Sequence, residues 1–201
     1  MNFDLDLFEK TEAKEFGEFE VLELGGHEIV IMDAREYTGM TGNVSLKVSV
    51  DIAGNDKQKC YFKKQYDENT NADKKWSNGA IKYLSLKNEQ IAYLKGFITA
   101  LEKSNNNFKF NTKGTWEQLK GLKLAGQFGL EEYTDNEGNT KTATKLVQFR
   151  SLDKLSEIKI PKVKLLDGSF MEYEDYKNRS VSTANDIFGD VVEIGDDALP
   201  F

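Results

Sequence analysis

The pattern of apolar and polar positions divides the chain into a β-rich body between two charged ends. From Val21 the pattern has period two. Gly25-Gly26 signals a turn or bulge, and Ile29 to Tyr37 predicts a strand before a second turn at Gly39–Gly42. Val44, Leu46, Val48, Val50 and Ile52 then alternate with Ser45, Lys47, Ser49 and Asp51, which predicts a strand with one apolar and one wet face. Gly54-Asn55-Asp56 reads as a hairpin turn, and Gln58 to Tyr66 as a third strand. Residues 67–80 are polar and read as a long loop. From Asn88 the spacing of Ile91, Leu94, Phe97, Ile98 and Leu101 predicts an amphipathic helix ended by Ser104–Asn107. Leu122, Leu124, Gly126, Phe128 and Leu130 alternate again. Asp135–Gly138 turns the chain, and Thr140 to Leu152 returns as the second arm of a hairpin. A short strand around Ile158 to Leu165 completes the set.

This order is mainly β: five antiparallel strands with one α-helix inserted after the third, as expected of an OB-like barrel. Another small β barrel or an α+β sheet fits the strand count as well. The expected organisation is a polar acidic leader over 1–20, with a short helix around Phe8 to Phe16, and an OB-like domain over 21–167. An acidic tail over 168–201 is too charged to repay its ordering entropy and is expected to be largely unfolded.

Charge changes the picture. The 201 residues carry a net charge of −7, which argues against a nucleic-acid ligand until its distribution is examined. Residues 1–24 hold eight acids and two lysines, and residues 167–201 hold nine acids beside Lys177 and Arg179. Between them, residues 25–166 hold 23 Lys and Arg against 17 acids, so the body is basic. The first 23 residues are acidic and broken by charges, unlike a secretory signal, and no apolar run is long enough for a membrane helix. Cys60 is the only cysteine, which excludes an intramolecular disulfide and fits a reducing compartment. A cytoplasmic protein is expected.

Enzymatic signatures are absent. No Gly-rich phosphate loop ends in Lys-Ser or Lys-Thr. A single histidine, His27, and a single thiol leave no zinc set and no Ser-His or Cys-His nucleophile pair. The expectation is a binding protein with no catalytic residue, metal or cofactor. His27 reads as a turn residue and Cys60 as a half-buried strand residue.

Sequence-tolerant single-strand binding needs cations along a groove and aromatic faces for bases. Tyr61, Phe62, Lys63, Lys64 and Tyr66 interleave both, and on a strand either face would leave an aromatic and a lysine outside. Lys74, Lys75 and Trp76 form a second candidate in a polar loop, with Lys82 and Tyr83 nearby. The competing reading of Trp76 is a plug over the barrel end, and Trp116 reads as packing. Arg35 with Tyr37, and Lys145 with Val147 and Phe149, share strand faces, with Arg150 on the opposite one; these are candidate groove walls.

The chain closes on Asp196-Asp197-Ala198-Leu199-Pro200-Phe201. This resembles the acidic tip of bacterial single-stranded DNA-binding proteins, which ends in several aspartates followed by Ile-Pro-Phe. Leu199 replaces the isoleucine, and Asp190 and Glu193 extend a shorter acidic run. The stretch from Trp76-Ser77-Asn78-Gly79 through the helix to Asn105, then Leu119–Leu122 and a hairpin, is similar to phage-encoded single-stranded DNA-binding proteins. The resemblance implies an OB fold, coating of single-stranded DNA in replication and recombination, and recruitment of replication and repair enzymes by the tip. The physical logic of the tip stands beside it: a terminal ring and carboxylate suit an apolar pocket beside an Arg or Lys, and proline limits the freedom lost on docking. The alternatives are a recombination mediator or annealing protein, and an adaptor with a β-barrel body that contacts no DNA. The oligomeric state, a homo-oligomer included, stays open.

Overall fold

The computed structural model describes residues 20–179, and its first two strands lie where the alternation places them. β1 (Gly25–Thr38) and β2 (Val44–Ile52) pair antiparallel, and Ile29, Ile31, Leu46, Val48, Val50 and Ile52 are buried. The ladder shifts register between Ile31 and Asp33, a bulge that resets the alternation. Ala34 therefore turns inward, while Arg35 and Tyr37 emerge on the outer face. The β1–β2 connection is held by Gly39 N–H donating to the Asn43 carbonyl at 2.9 Å, and Gly42 takes the positive φ (75°) the turn requires.

The segment Gln58 to Tyr66 is not a strand. Tyr61–Glu68 forms a helix, α1, beginning at Cys60, which is exposed and has φ 58°. Two physical facts override the alternation. After Phe62 come Lys63, Lys64 and Gln65, good helix formers, with Lys63 bonded to Asp67 one turn on at 2.6 Å. Moreover, Asp51 accepts from the amides of Phe62 (3.0 Å) and Lys63 (3.4 Å), which open the helix, and from Ile52 (2.9 Å). Asp51 is thus 2 % exposed rather than on a wet face, and Ser49 is buried too, because α1 packs against β2. Burial, opposed by those three amides and the Lys63 charge, raises the carboxyl above the usual aspartate range.

The third strand, β3 (Ile81–Ser85), comes after α1 and the loop that follows it, in a stretch the periodicity does not mark. The predicted helix is present as α2 (Ile91–Ser104), burying Leu94, Phe97, Ala100 and Leu101. β4 (Lys123–Thr134) and β5 (Thr140–Arg150) form the expected hairpin. One edge of β4 carries β5. The other carries the start of β1 and then, in parallel, the short β6 (Val163–Lys164), which pairs with β7 (Phe170–Met171). The result is a mainly β protein built on one seven-stranded mixed sheet. It is not a closed five-stranded barrel, because no ladder joins β3 to β5.

Leu22 and Phe128 with the inward residues of β1, β2 and β4 make the core, into which Tyr61 and Phe62 also pack. His27 is buried in β1 rather than placed in a turn. Its Nδ1 lies 3.2 Å from both Asp56 carboxylate oxygens, and its Nε2 lies 2.9 Å from the Glu23 carbonyl. The ring thereby ties β1 to the segment between β2 and α1. Residues 168–179, expected in the tail, instead include β7 and a helical turn over 173–179, where Tyr176 bonds Thr142 at 2.9 Å. The leader helix around Phe8 to Phe16 and the tip Asp196–Phe201 lie outside the described residues. No helix among the described residues is long and apolar enough to cross a membrane, and no His, Cys, Asp and Glu cluster there could hold a metal ion.

Candidate nucleic-acid interface

The missing ladder between β3 and β5 leaves a seam, and α2 lies across it. The three elements enclose a groove of about 850 Å³. Its lining carries four cations, Lys82, Lys103, Arg150 and Lys154, and no carboxylate. Tyr83, Tyr93, Phe97 and Phe149 supply the aromatic surface. Phe97 and Phe149 form the floor, with ring centroids 4.7 Å apart and both partly or wholly buried. Tyr83 and Tyr93 remain open to solvent, 47 % and 75 % exposed.

The position of Lys82 follows from the strand register. Lys82 pairs with Val48 and Leu84 with Leu46, both core residues, so Lys82 points inward. At a closed seam this would bury a charge; at the open one Lys82 lines the groove, with Glu131 and Lys164 outside the lining as the charges that act on it. Burial lowers its pKa, a nearby Lys164 adds to the effect, and Glu131 opposes it. Such a poorly solvated cation gains most from an anion placed beside it. Lys154 is shared with Glu157 at 3.0 Å, and Arg150 bonds Gln148 at 3.3 Å.

The groove continues onto the outer face of the sheet. Ladder partners place Arg35, Lys47 and Tyr83 side by side in one row across three strands, and Tyr37, Ser45 and Ser85 in the next. The Tyr37 and Tyr83 rings lie 5.3 Å apart, and Asp33 accompanies Arg35 at 3.3 Å. Tyr83 belongs to both the face and the groove, which makes it the hinge of the whole surface.

Of the residues singled out from the sequence, the structure gathers Arg35, Tyr37, Lys82, Phe149 and Arg150 on this surface. A second register shift in the β4–β5 ladder leaves Val147 without a partner, so Leu146 and Phe149 both turn toward the core instead of Phe149 sharing an outer face with Lys145 and Val147. Lys145 lines a different recess of about 560 Å³, beside Tyr61 and Glu131.

The α1 group does not form a stacking surface. Tyr61 and Phe62 are core residues with rings edge-on at 5.0 Å. Lys63 is held by Asp67, whose hydrogen bond and charge raise the lysine pKa, and Lys64 lies 3.8 Å from Glu20. Tyr66 lies 5.6 Å from the Trp76 ring, and the Lys74 ammonium sits 4.7 Å over Tyr66, while Lys75 is exposed. Trp76 Nε1 donates to the Val50 carbonyl at 3.0 Å, so the indole is pinned against the core as a plug. Trp116 stacks on Phe110 at 5.6 Å and donates to Glu36, in keeping with a packing role.

Sequence reasoning missed Lys47, Tyr93, Lys103 and Lys154. Tyr93 carried a usable signal: it falls off the apolar stripe of α2, an aromatic ring on a polar helix face. Lys47 becomes visible only once the register sets it beside Arg35. No protein-family model matches the chain, and no curated protein matches it in sequence.

Proposed function

We propose that the protein binds single-stranded DNA along the groove between α2, β3 and β5 and the adjoining face of β1–β3. The observation that carries the reading is a groove holding four cations, no carboxylate and two exposed tyrosines in a protein of net charge −7. Segregation of this kind suits a polyanion whose bases need flat partners. The fold reading that accompanies it is a partly open OB-type barrel. The hydrogen-bonded path β3-β2-β1-β4-β5, with α2 inserted between β3 and β4, supports that reading. So does the approach of Gly79, just before β3, to Thr144 of β5. In OB folds the face of strands 2 and 3 is where oligonucleotides bind.

Coating of single strands in replication and recombination, without catalysis, follows as the biological role. The tip Asp196–Phe201 would recruit partner enzymes to the coated strand. The test is fluorescence anisotropy of a labelled dT oligomer at low salt, with a duplex of equal length as control. Tight binding of the single strand, at least tenfold stronger than the duplex, is the expected result. Arg35→Ala and Tyr83→Ala should weaken it, whereas Lys63→Ala, whose ammonium is committed to Asp67, should not. No binding by anisotropy or by gel shift would refute the reading and leave a protein-binding adaptor in its place.

A further inference from the structure

Gly96 stands in the middle of α2, a 14-residue helix, where glycine is the least favourable residue short of proline. A glycine in such a position usually answers a close approach by another part of the protein. Gly96 does not: beyond its chain neighbours and the backbone of its own helix, a Cβ placed there would meet no heavy atom within 4 Å, and its φ is ordinary. The turn glycines Gly42, Gly121 and Gly138 also face open space but take a positive φ, which Gly96 does not, and at packed glycines the same criterion gives the opposite result. A Cβ at Gly79 would sit 2.5 Å from the Thr144 carbonyl oxygen, and one at Gly129 would sit 2.3 Å from Pro161 Cγ. The space over Gly96 is the groove itself, which it lines with Tyr93 one turn earlier.

We infer that Gly96 keeps a seat open for one unstacked base of the bound strand, with Tyr93 as the ring beside it and the groove cations other than Lys154, which Glu157 holds, engaging the flanking phosphates. The inference rests on the single-strand reading above and adds to it a base-specific contact on α2. The occupant is a nucleobase on an anionic backbone because the groove pairs cations with aromatics and carries no acid. A base still paired in a duplex cannot be splayed into such a seat, which gives the groove its preference for single strands. Bare backbone at Gly96 lets a planar ring lie flat against the helix, and any larger side chain projects into that plane.

The experiment uses the full chain, a dT oligomer, and an oligomer of equal length made of abasic sites. Gly96→Ala is expected to raise the melting temperature by roughly 2–4 °C, since nothing in the protein opposes the methyl group. Gly96→Leu is expected to bind the dT oligomer about tenfold or more weakly, with no loss of melting temperature. Tyr93→Ala, at a position 75 % exposed and so harmless to the fold, should weaken dT binding by about five- to a hundredfold. Both variants should bind the abasic oligomer as the wild type does. If Gly96→Leu does not fold, Gly96→Gln, a good helix former of similar length, takes its place in both titrations with the same expected loss. Binding of dT within twofold of wild type by the folded variants would overturn the seat while leaving the single-strand reading intact. An equal loss on the abasic oligomer would also overturn it, because backbone contact would then be what was lost. Failure of the wild type to bind dT at all removes the single-strand reading, and the seat with it.

Discussion

Replacing Asp51 by alanine should destabilise the protein by about 2–5 kcal/mol, a large part of the ~5–15 kcal/mol typical of a domain. The figure follows from what its carboxylate holds. One oxygen accepts from the amides of Ile52, Phe62 and Lys63, and the first two belong to buried residues. Each buried amide left without a partner costs about 1–3 kcal/mol. The third bond, at 3.4 Å, contributes little. Asp51→Asn keeps an acceptor in the same place. It loses the charge that favours the start of α1, worth about 0.3–1 kcal/mol, and is relieved of burying that charge, so it should lie within about 1 kcal/mol of wild type. Urea unfolding followed by tryptophan fluorescence is the assay, with Trp76 bonded to neighbouring Val50 as a local reporter. The sign with pH is fixed by the raised carboxyl. The folded protein holds the Asp51 proton more tightly than the unfolded chain, so the ionised carboxyl supports folding less than the protonated one, and this deficit is removed as pH falls through its raised folded value toward 3.8. The stability of wild type relative to Asp51→Asn should therefore improve on acidification. An Asp51→Ala protein within about 0.5 kcal/mol of wild type would show that the amides are not what α1 depends on.

Tyr83→Ala should weaken dT binding by about five- to a hundredfold, since its ring serves both the sheet face and the groove; anisotropy measures this, and unchanged melting would show the fold intact. The logarithm of the affinity should fall with the logarithm of salt concentration with a slope of roughly −3 to −4, as about five cations of the surface engage phosphates; a slope near zero would exclude a strand lying across them. Gly79→Ala should cost about 1–3 kcal/mol in urea unfolding, because its Cβ would meet the Thr144 carbonyl oxygen at 2.5 Å and force β3 and β5 apart.

Much of the framework was legible in the sequence. The alternation of Val44–Ile52 and of Leu122–Leu130, and the helical spacing from Ile91 to Leu101, located β2, β4 and α2, because each buries one continuous face and the period of that face is a local property. The turn at Asp135–Gly138 was readable for the same reason, glycine taking a φ of 86° at Gly138. The candidate surface was hardly legible: Arg35 and Tyr37 share the sequence parity of the buried Ile29 and Ile31, so only the bulge between Ile31 and Asp33 turned them outward, and their neighbours across the strands left no trace either.

Tertiary structure decided the rest. Whether Tyr61–Tyr66 became strand or helix depended on Asp51, ten residues earlier in chain order, reaching the amides of Phe62 and Lys63. With α1 formed, the third place in the sheet fell to Ile81–Ser85, whose five residues carry too short a pattern to announce a strand alone. That assignment set Tyr83 beside Lys47 and Arg35 and left the seam where Lys82, Tyr93 and Arg150 converge. Local periodicity shows which face of an element is buried. It carries no record of which elements become neighbours, since ladder register, a bulge and a long-range cap act between residues far apart in the chain, and a binding surface is made of such neighbours.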